Sequence, residues 1–181
     1  MQVRRAEIPD VLVLEPVVFA DTRGFFLESY NRRAFREATG IDVEFVQDNH
    51  SRSARNVLRG LHYQIAQAQG KLVRVTSGEV WDAAVDLRRR SSTFGKWVAF
   101  ALSAESKRMA WIPPGFAHGF LVVSDFAEVQ YKTTEYYAPE HDRTLLWNDP
   151  ALAIPWPIGG DPILAEKDRR GTPLAAADVY P

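Results

Sequence analysis

Lys71-Leu72-Val73-Arg74-Val75-Thr76, then Ser77-Gly78-Glu79, then Val80-Trp81-Asp82-Ala83-Ala84-Val85-Asp86-Leu87 is the stretch on which the fold turns. Two valine-rich runs flank a tripeptide with tight-turn chemistry, so the stretch reads as a β-hairpin. The pattern recurs outward from it. Val11 to Phe19, Gly24 to Tyr30, Val43 to Asn49, Val57 to Gln64, Lys96 to Leu102, Met109 to Ile112, Gly119 to Val123 and Glu128 to Tyr136 are short runs rich in Val, Phe, Trp and Tyr. Pro113-Pro114-Gly115 breaks one pair of runs. One helix is expected, capped by Asn31, spanning Arg32 to Thr39 and ended by Gly40. A second short helix or turn is expected around Leu164 to Arg169. Many short strands with few helices predict an all-β protein, a jelly-roll β-sandwich or barrel, rather than alternating βαβ units.

A chain of 181 residues suits one domain, 1–181, with 149–181 expected as a C-terminal wrap. Zero cysteines exclude disulfides, zinc thiolates, iron–sulfur clusters and thiol nucleophiles. A net charge of −1 and a pI near 6.4 argue against a nucleic-acid binder. No apolar run approaches the ~20 residues of a membrane span. The N-terminal residues lack a signal peptide's apolar core, so a cytoplasmic protein is expected.

In an antiparallel sandwich, alternate side chains point inward. Lys71 shares its strand face with Val73 and Val75, and Tyr131 shares its own with Val129 and Thr133. Read singly, Lys71 is a strand-edge charge and Tyr131 a core tyrosine with a satisfied hydroxyl. A lone strand histidine such as His62 is more often structural, but His62 alternates with Gly60 and Gln64 rather than with apolar residues. A histidine base, a carboxylate to orient it and a phenol acid are the groups that move a proton on a carbon beside a ketone. His62, Asp168 and Tyr131 supply them if the fold brings them together. His118 follows a Pro-Pro-Gly turn, as in the second metal motif of cupins. The first motif is incomplete at His62-Tyr63-Gln64, so a metal-free site is expected. Arg23 and Arg59 carry guanidinium forks suited to phosphate, Phe26 a ring suited to stacking on a base, and Gln47-Asp48-Asn49 lies within the same set. No Walker lysine loop or Gly-rich dinucleotide turn is present, so no ATP-type or redox cofactor is expected.

The chain resembles the dTDP-4-dehydrorhamnose 3,5-epimerases, cupin-fold sugar-nucleotide epimerases of L-rhamnose biosynthesis. The resemblance runs through Asp21-Thr22-Arg23-Gly24-Phe25-Phe26, Gln47-Asp48-Asn49, Arg59-Gly60-Leu61-His62, Pro114 to Phe120, Tyr131-Lys132, Trp147-Asn148-Asp149-Pro150 and Lys167-Asp168. It implies that His62 is the base, Asp168 its dyad partner, Tyr131 the acid and Lys71 a stabiliser of the enolate oxygen. It assigns Arg23, Phe26, Glu28, Gln47, Asn49 and Arg59 to the dTDP portion and His118 to the sugar pocket. It further implies a homodimer in which an N-terminal segment reaches the neighbour's site. Glu140 to Leu146 departs from the family's run before Trp147, which leaves the local sugar contacts open. Three alternatives stand beside this reading: a metal-dependent cupin enzyme, a non-catalytic sugar-binding jelly roll, and a 3- or 5-epimerase of a related deoxysugar pathway.

Overall fold

The computed structural model describes residues 1–181. Thirteen strands run in chain order: β1 Gln2–Arg5, β2 Leu12–Glu15, β3 Val18–Asp21, β4 Gly24–Leu27, β5 Gln47–Ala54, β6 Leu58–Gln64, β7 Lys71–Ser77, β8 Glu79–Asp86, β9 Trp97–Ser103, β10 Met109–Ile112, β11 Phe116–Val122, β12 Phe126–Thr133 and β13 Asp142–Thr144. Helix α1 spans Arg32–Thr39 and α2 Glu166–Arg169. β1-β2-β10-β7-β12-β5 form a six-stranded sheet and β13-β6-β11-β8-β9 a five-stranded sheet. The arrangement is the β-sandwich that the strand pattern predicted, of the cupin-like kind that the family resemblance implied. The hairpin expected through Ser77-Gly78-Glu79 does not form: β7 pairs with β10 and β12, β8 with β11 and β9, and the tight turn at Gly78 carries the chain from one sheet to the other.

Three apolar layers follow from strand alternation. Between the sheets, Val73, Val75 and Val129 meet Val80, Ala84, Phe120 and Val122. On the outer face of the six-stranded sheet, Leu12, Leu14, Leu72 and Trp111 are covered by α1 through Phe35, with Tyr30 and Phe45 beside it. On the outer face of the five-stranded sheet, Leu61, Val85 and Ala117 lie under Leu152, Ile154, Trp156 and Tyr180 of the C-terminal segment. That segment is pinned by side chains as well: Tyr63 donates from its hydroxyl to the Asp178 carbonyl at 2.7 Å, and the Tyr180 hydroxyl donates to the Gln64 carbonyl.

α1 has the boundaries its sequence dictates. The Asn31 side chain accepts from the Ala34 amide at 3.1 Å, and Gly40 closes the helix at φ 74°. Several strand limits differ from expectation. The run from Val11 to Phe19 is split into β2 and β3 around Pro16, which has no amide to give a ladder. β5 begins at Gln47 rather than Val43, because Val43 and Phe45 pack beneath α1 instead of pairing with a strand. β5 is then an edge strand whose exposed Asp48, His50 and Arg52 alternate with inward Asn49, Ser51 and Ser53, a polar pattern that hydrophobicity does not reveal. β1 and β13 are likewise short edge strands without an apolar signal.

β3 and β4 form a separate hairpin, paired only with each other. It leaves Phe19, Phe25 and Phe26 each about 60% or more exposed. No helix is long and apolar enough to cross a membrane.

Candidate active site

A local irregularity in β6 decides what that strand presents. His118 faces His62 and Phe120 faces Arg59 in the pairing of β11 with β6, so a step of three residues on β6 matches a step of two on β11. Plain alternation would send Arg59 and His62 to opposite faces; the bulge turns both towards one cavity of about 410 Å³. Gly60 permits this. Its φ is 126°, and a Cβ there would lie 2.5 Å from Gly119 Cα and 2.8 Å from the His118 carbonyl oxygen.

His62 and His118 come from the five-stranded sheet, whereas Lys71 and Tyr131 come from the six-stranded sheet. All four line the same cavity. Lys71 pairs with Thr133 and Tyr131 with Val73, so the ammonium and the phenol are neighbours on one wall. Lys71 Nζ donates to the His62 carbonyl oxygen at 3.2 Å, linking the walls. Burial pulls the Lys71 pKa down to about 8, against a smaller upward pull from Asp142 and Asp82. Burial also raises the Tyr131 pKa, which keeps its phenol protonated at neutral pH. Its hydroxyl makes no hydrogen bond within the protein, unlike the satisfied core tyrosine of the isolated reading.

Asp168 enters the site from α2. The His62 Nε2 to Asp168 Oδ1 separation is 2.6 Å, and the carboxylate is almost wholly buried while about a quarter of the His62 side chain stays exposed. Burial lowers the His62 pKa below its ordinary value, with the Asp168 bond and charge pulling the other way. Neutral imidazole is thus the resting form near pH 7.

The structure brings His62, Asp168, Tyr131, Lys71, Arg59 and His118 to one cavity. Arg59 is steadied by a 2.9 Å bond from Nε to Ser53 Oγ. Asn49 opens instead onto an adjoining pocket that also includes Tyr131, and Gln47 donates to Asn49 at 2.8 Å. Arg23, Phe26 and Glu28 do not line the cavity of their own chain. Arg23 is exposed and bonded to Asp21, and Glu28 accepts from Asn31.

Three further groups, two lining the cavity and one behind His118, carry no obvious signal in the sequence. Asp82, fully buried, approaches His118 Nε2 to 2.9 Å. Its one trace is a carboxylate in phase with Val80 and Ala84. Asp142 and Tyr137 line the cavity, in and beside the segment that departs from the family pattern. No three His, Asp or Glu side chains gather in a metal-holding group.

A β-sandwich whose cavity joins a histidine of one sheet and its α2 carboxylate to a lysine and a tyrosine of the other sheet is a cupin-like protein. The family model for dTDP-4-dehydrorhamnose 3,5-epimerase matches residues 5–176, and the chain belongs to that family. It is 65% identical over 181 residues to the dTDP-4-dehydrorhamnose 3,5-epimerase of Pseudomonas aeruginosa, covering 100% of both chains. Its fold is similar to the crystal structure of dTDP-6-deoxy-D-glucose-3,5-epimerase from Legionella pneumophila in complex with dTDP-4-keto-L-rhamnose. The TM-score is 0.96 at 49% identity, covering 98% of this chain and 94% of that one. A 3'-monoepimerase from Streptomyces bikiniensis in complex with dTDP-quinovose is also similar, with a TM-score of 0.90 at 33% identity, covering 98% and 89%.

Proposed function

We propose that the protein inverts C3 and C5 of dTDP-4-dehydro-6-deoxy-D-glucose, giving dTDP-4-dehydro-L-rhamnose. The observation that carries the reading is that His62 and Tyr131 stand on different sheets and line one cavity. A sugar ring between those walls has a base on one face and an acid on the other. The C4 ketone acidifies the C–H bonds on both sides of it. Asp168 as a carboxylate only accepts, so His62 donates from Nε2 and keeps the lone pair on Nδ1 for the substrate proton. As that proton moves to Nδ1, the C–H electron pair becomes the enolate and charge gathers on the C4 oxygen, where the Lys71 ammonium offsets it. The Tyr131 hydroxyl then delivers a proton to the opposite face, and solvent restores both groups. No redox or metal cofactor enters this scheme.

The nucleotide portion is assigned to Arg59, Gln47 and Asn49 of one chain and to Arg23, Phe26 and Glu28 of a second copy. Supporting this homodimeric arrangement, the β3–β4 hairpin exposes its aromatic face and its candidate binding residues lie away from their own cavity. A 3'-monoepimerase shares the fold, so inversion at one centre only is the competing reading. Proton NMR of the dTDP-sugar in deuterated buffer separates the two. Deuterium entering at both C3 and C5 with formation of the L-configured product supports double inversion; exchange confined to one carbon overturns it.

A further inference from the structure

Residues 164–171 carry Asp168 yet form no backbone hydrogen bond to the rest of the protein. On one side the chain is anchored where Leu58 donates to the Ile163 carbonyl at 3.1 Å. On the other, Leu146 donates to the Thr172 carbonyl at 2.9 Å and Thr172 to Thr144 at 2.8 Å. Between these anchors α2 is a single turn whose N-cap, Ala165, has no side chain to cap it. Two side-chain bonds alone fasten it to the sandwich: Asp168 to His62, and Lys167 Nζ to Asp142 Oδ2 at 3.0 Å. Asp142 sits on β13, which pairs with β6 through Asp142 opposite Gln64 and Thr144 opposite His62. Both bonds therefore join the same two units. The Asp142 carboxylate is only 17% exposed and also accepts from the Tyr137 hydroxyl at 3.3 Å, so its place is fixed before Lys167 arrives.

We infer that the Asp142–Lys167 ion pair is a positioning clasp, which holds α2 in register so that Asp168 meets the His62 ring. This rests on the reading of His62 as the base. A one-turn helix held by one bond can tilt; two bonds, from adjacent residues to neighbouring strands, fix its orientation. The pair has a second effect through charge. His62 is faced by Asp168, Lys167 and Lys71, while Lys71 is faced by Asp142, Asp82 and Lys167. At Lys71 Asp142 pulls the pKa up and Lys167 pulls it down, so the two oppose one another there, whereas at His62 Lys167 is the member of the pair that acts.

The test is kcat and the pH profile of Asp142→Asn and Lys167→Gln, with thermal melting as the check on folding. Lys167 is half exposed, so its variant is expected to fold normally. Each variant should lose about ten- to a hundredfold in kcat, the scale expected when catalytic groups are misplaced by a fraction of an ångström to an ångström. The alkaline limbs should move in opposite directions. Asp142→Asn removes a charge that raises the Lys71 pKa and shifts the alkaline limb to lower pH; Lys167→Gln removes a charge that lowers both His62 and Lys71 and shifts both limbs higher. A folded Lys167→Gln variant with parental kcat overturns the clasp, as do variants with reduced kcat whose limbs stay put. His62→Ala serves as the reference: if it still exchanges deuterium, the reading of the base has failed. If it is inert while Lys167→Gln is parental, the clasp alone has failed.

Discussion

His62 and His118 occupy facing positions in the pairing of β6 and β11, and each ring binds its own buried carboxylate. His62 Nε2 lies 2.6 Å from Asp168 Oδ1, and His118 Nε2 lies 2.9 Å from Asp82 Oδ2. The pairs differ in access: about a quarter of the His62 side chain is exposed, against 8% for His118. The more open ring is the one assigned to proton abstraction. His62→Ala should therefore abolish deuterium exchange at both carbons. Asp168→Asn should lower kcat by about 10²–10⁴-fold, the usual contribution of a positioned base, because its amide no longer offsets the imidazolium charge. His118→Ala should leave measurable exchange. The NMR time course that follows the substrate reports all three.

The pH dependence follows from two groups with displaced pKa values. His62 acts neutral, and its pKa is lowered, so kcat/KM should rise with pH and level off below the ordinary histidine value of 6.5. Lys71 acts as a cation with a pKa of about 8, so activity should fall as pH passes that value. Lys71→Arg keeps a positive charge throughout and should remove the alkaline limb, though at reduced kcat because the guanidinium does not fit the ammonium's place. An alkaline limb unchanged in that variant would assign it to another group.

Tyr131→Phe keeps the ring packed against the inner core while removing the acid. Because the hydroxyl has no protein partner, folding stability should change by less than about 1 kcal/mol. His62 can still take a proton and return one from solvent to the same face. Deuterium should therefore enter the sugar with little inverted product; formation of that product at the parental rate would remove Tyr131 from the mechanism.

Gly60→Ala places a Cβ against Gly119 Cα in a backbone conformation that side chains rarely adopt. Backbone strain alone should cost about 1–3 kcal/mol, read as a fall in the denaturation midpoint. The bulge aims both Arg59 and His62, so activity should drop further than unfolding at the assay temperature accounts for.

Sharing of the site between copies is open to a mixing experiment. Arg23→Ala should weaken dTDP binding in calorimetry, and His62→Ala should be inactive. Co-refolding the two should regenerate activity, because a mixed dimer contains one site with His62 from one chain and Arg23 from the other. Failure of the mixture to exceed the Arg23→Ala protein alone would place Arg23 outside the neighbour's site.

What the sequence determined by itself was what a few neighbouring residues encode. The tight turn at Ser77-Gly78-Glu79, the capped α1 and the inward phase of Lys71 and Tyr131 depend on turn chemistry, capping and alternation over short spans, but which sheet each strand beside that turn joins does not: β7 and β8 belong to different sheets. The family motifs added candidate roles to individual residues. Only the tertiary structure decided which distant groups meet. His62 and Asp168 are 106 positions apart, and Asp82 gave no sign of pairing with His118, because such contacts depend on strand order and on where the C-terminal segment returns. The polar edge strands β1, β5 and β13 were likewise settled by pairing, since backbone hydrogen bonds to a neighbour need no apolar pattern. The bulge at Gly60 is the sharpest case: alternation alone separates Arg59 from His62, and one extra residue against β11 puts both on the cavity wall.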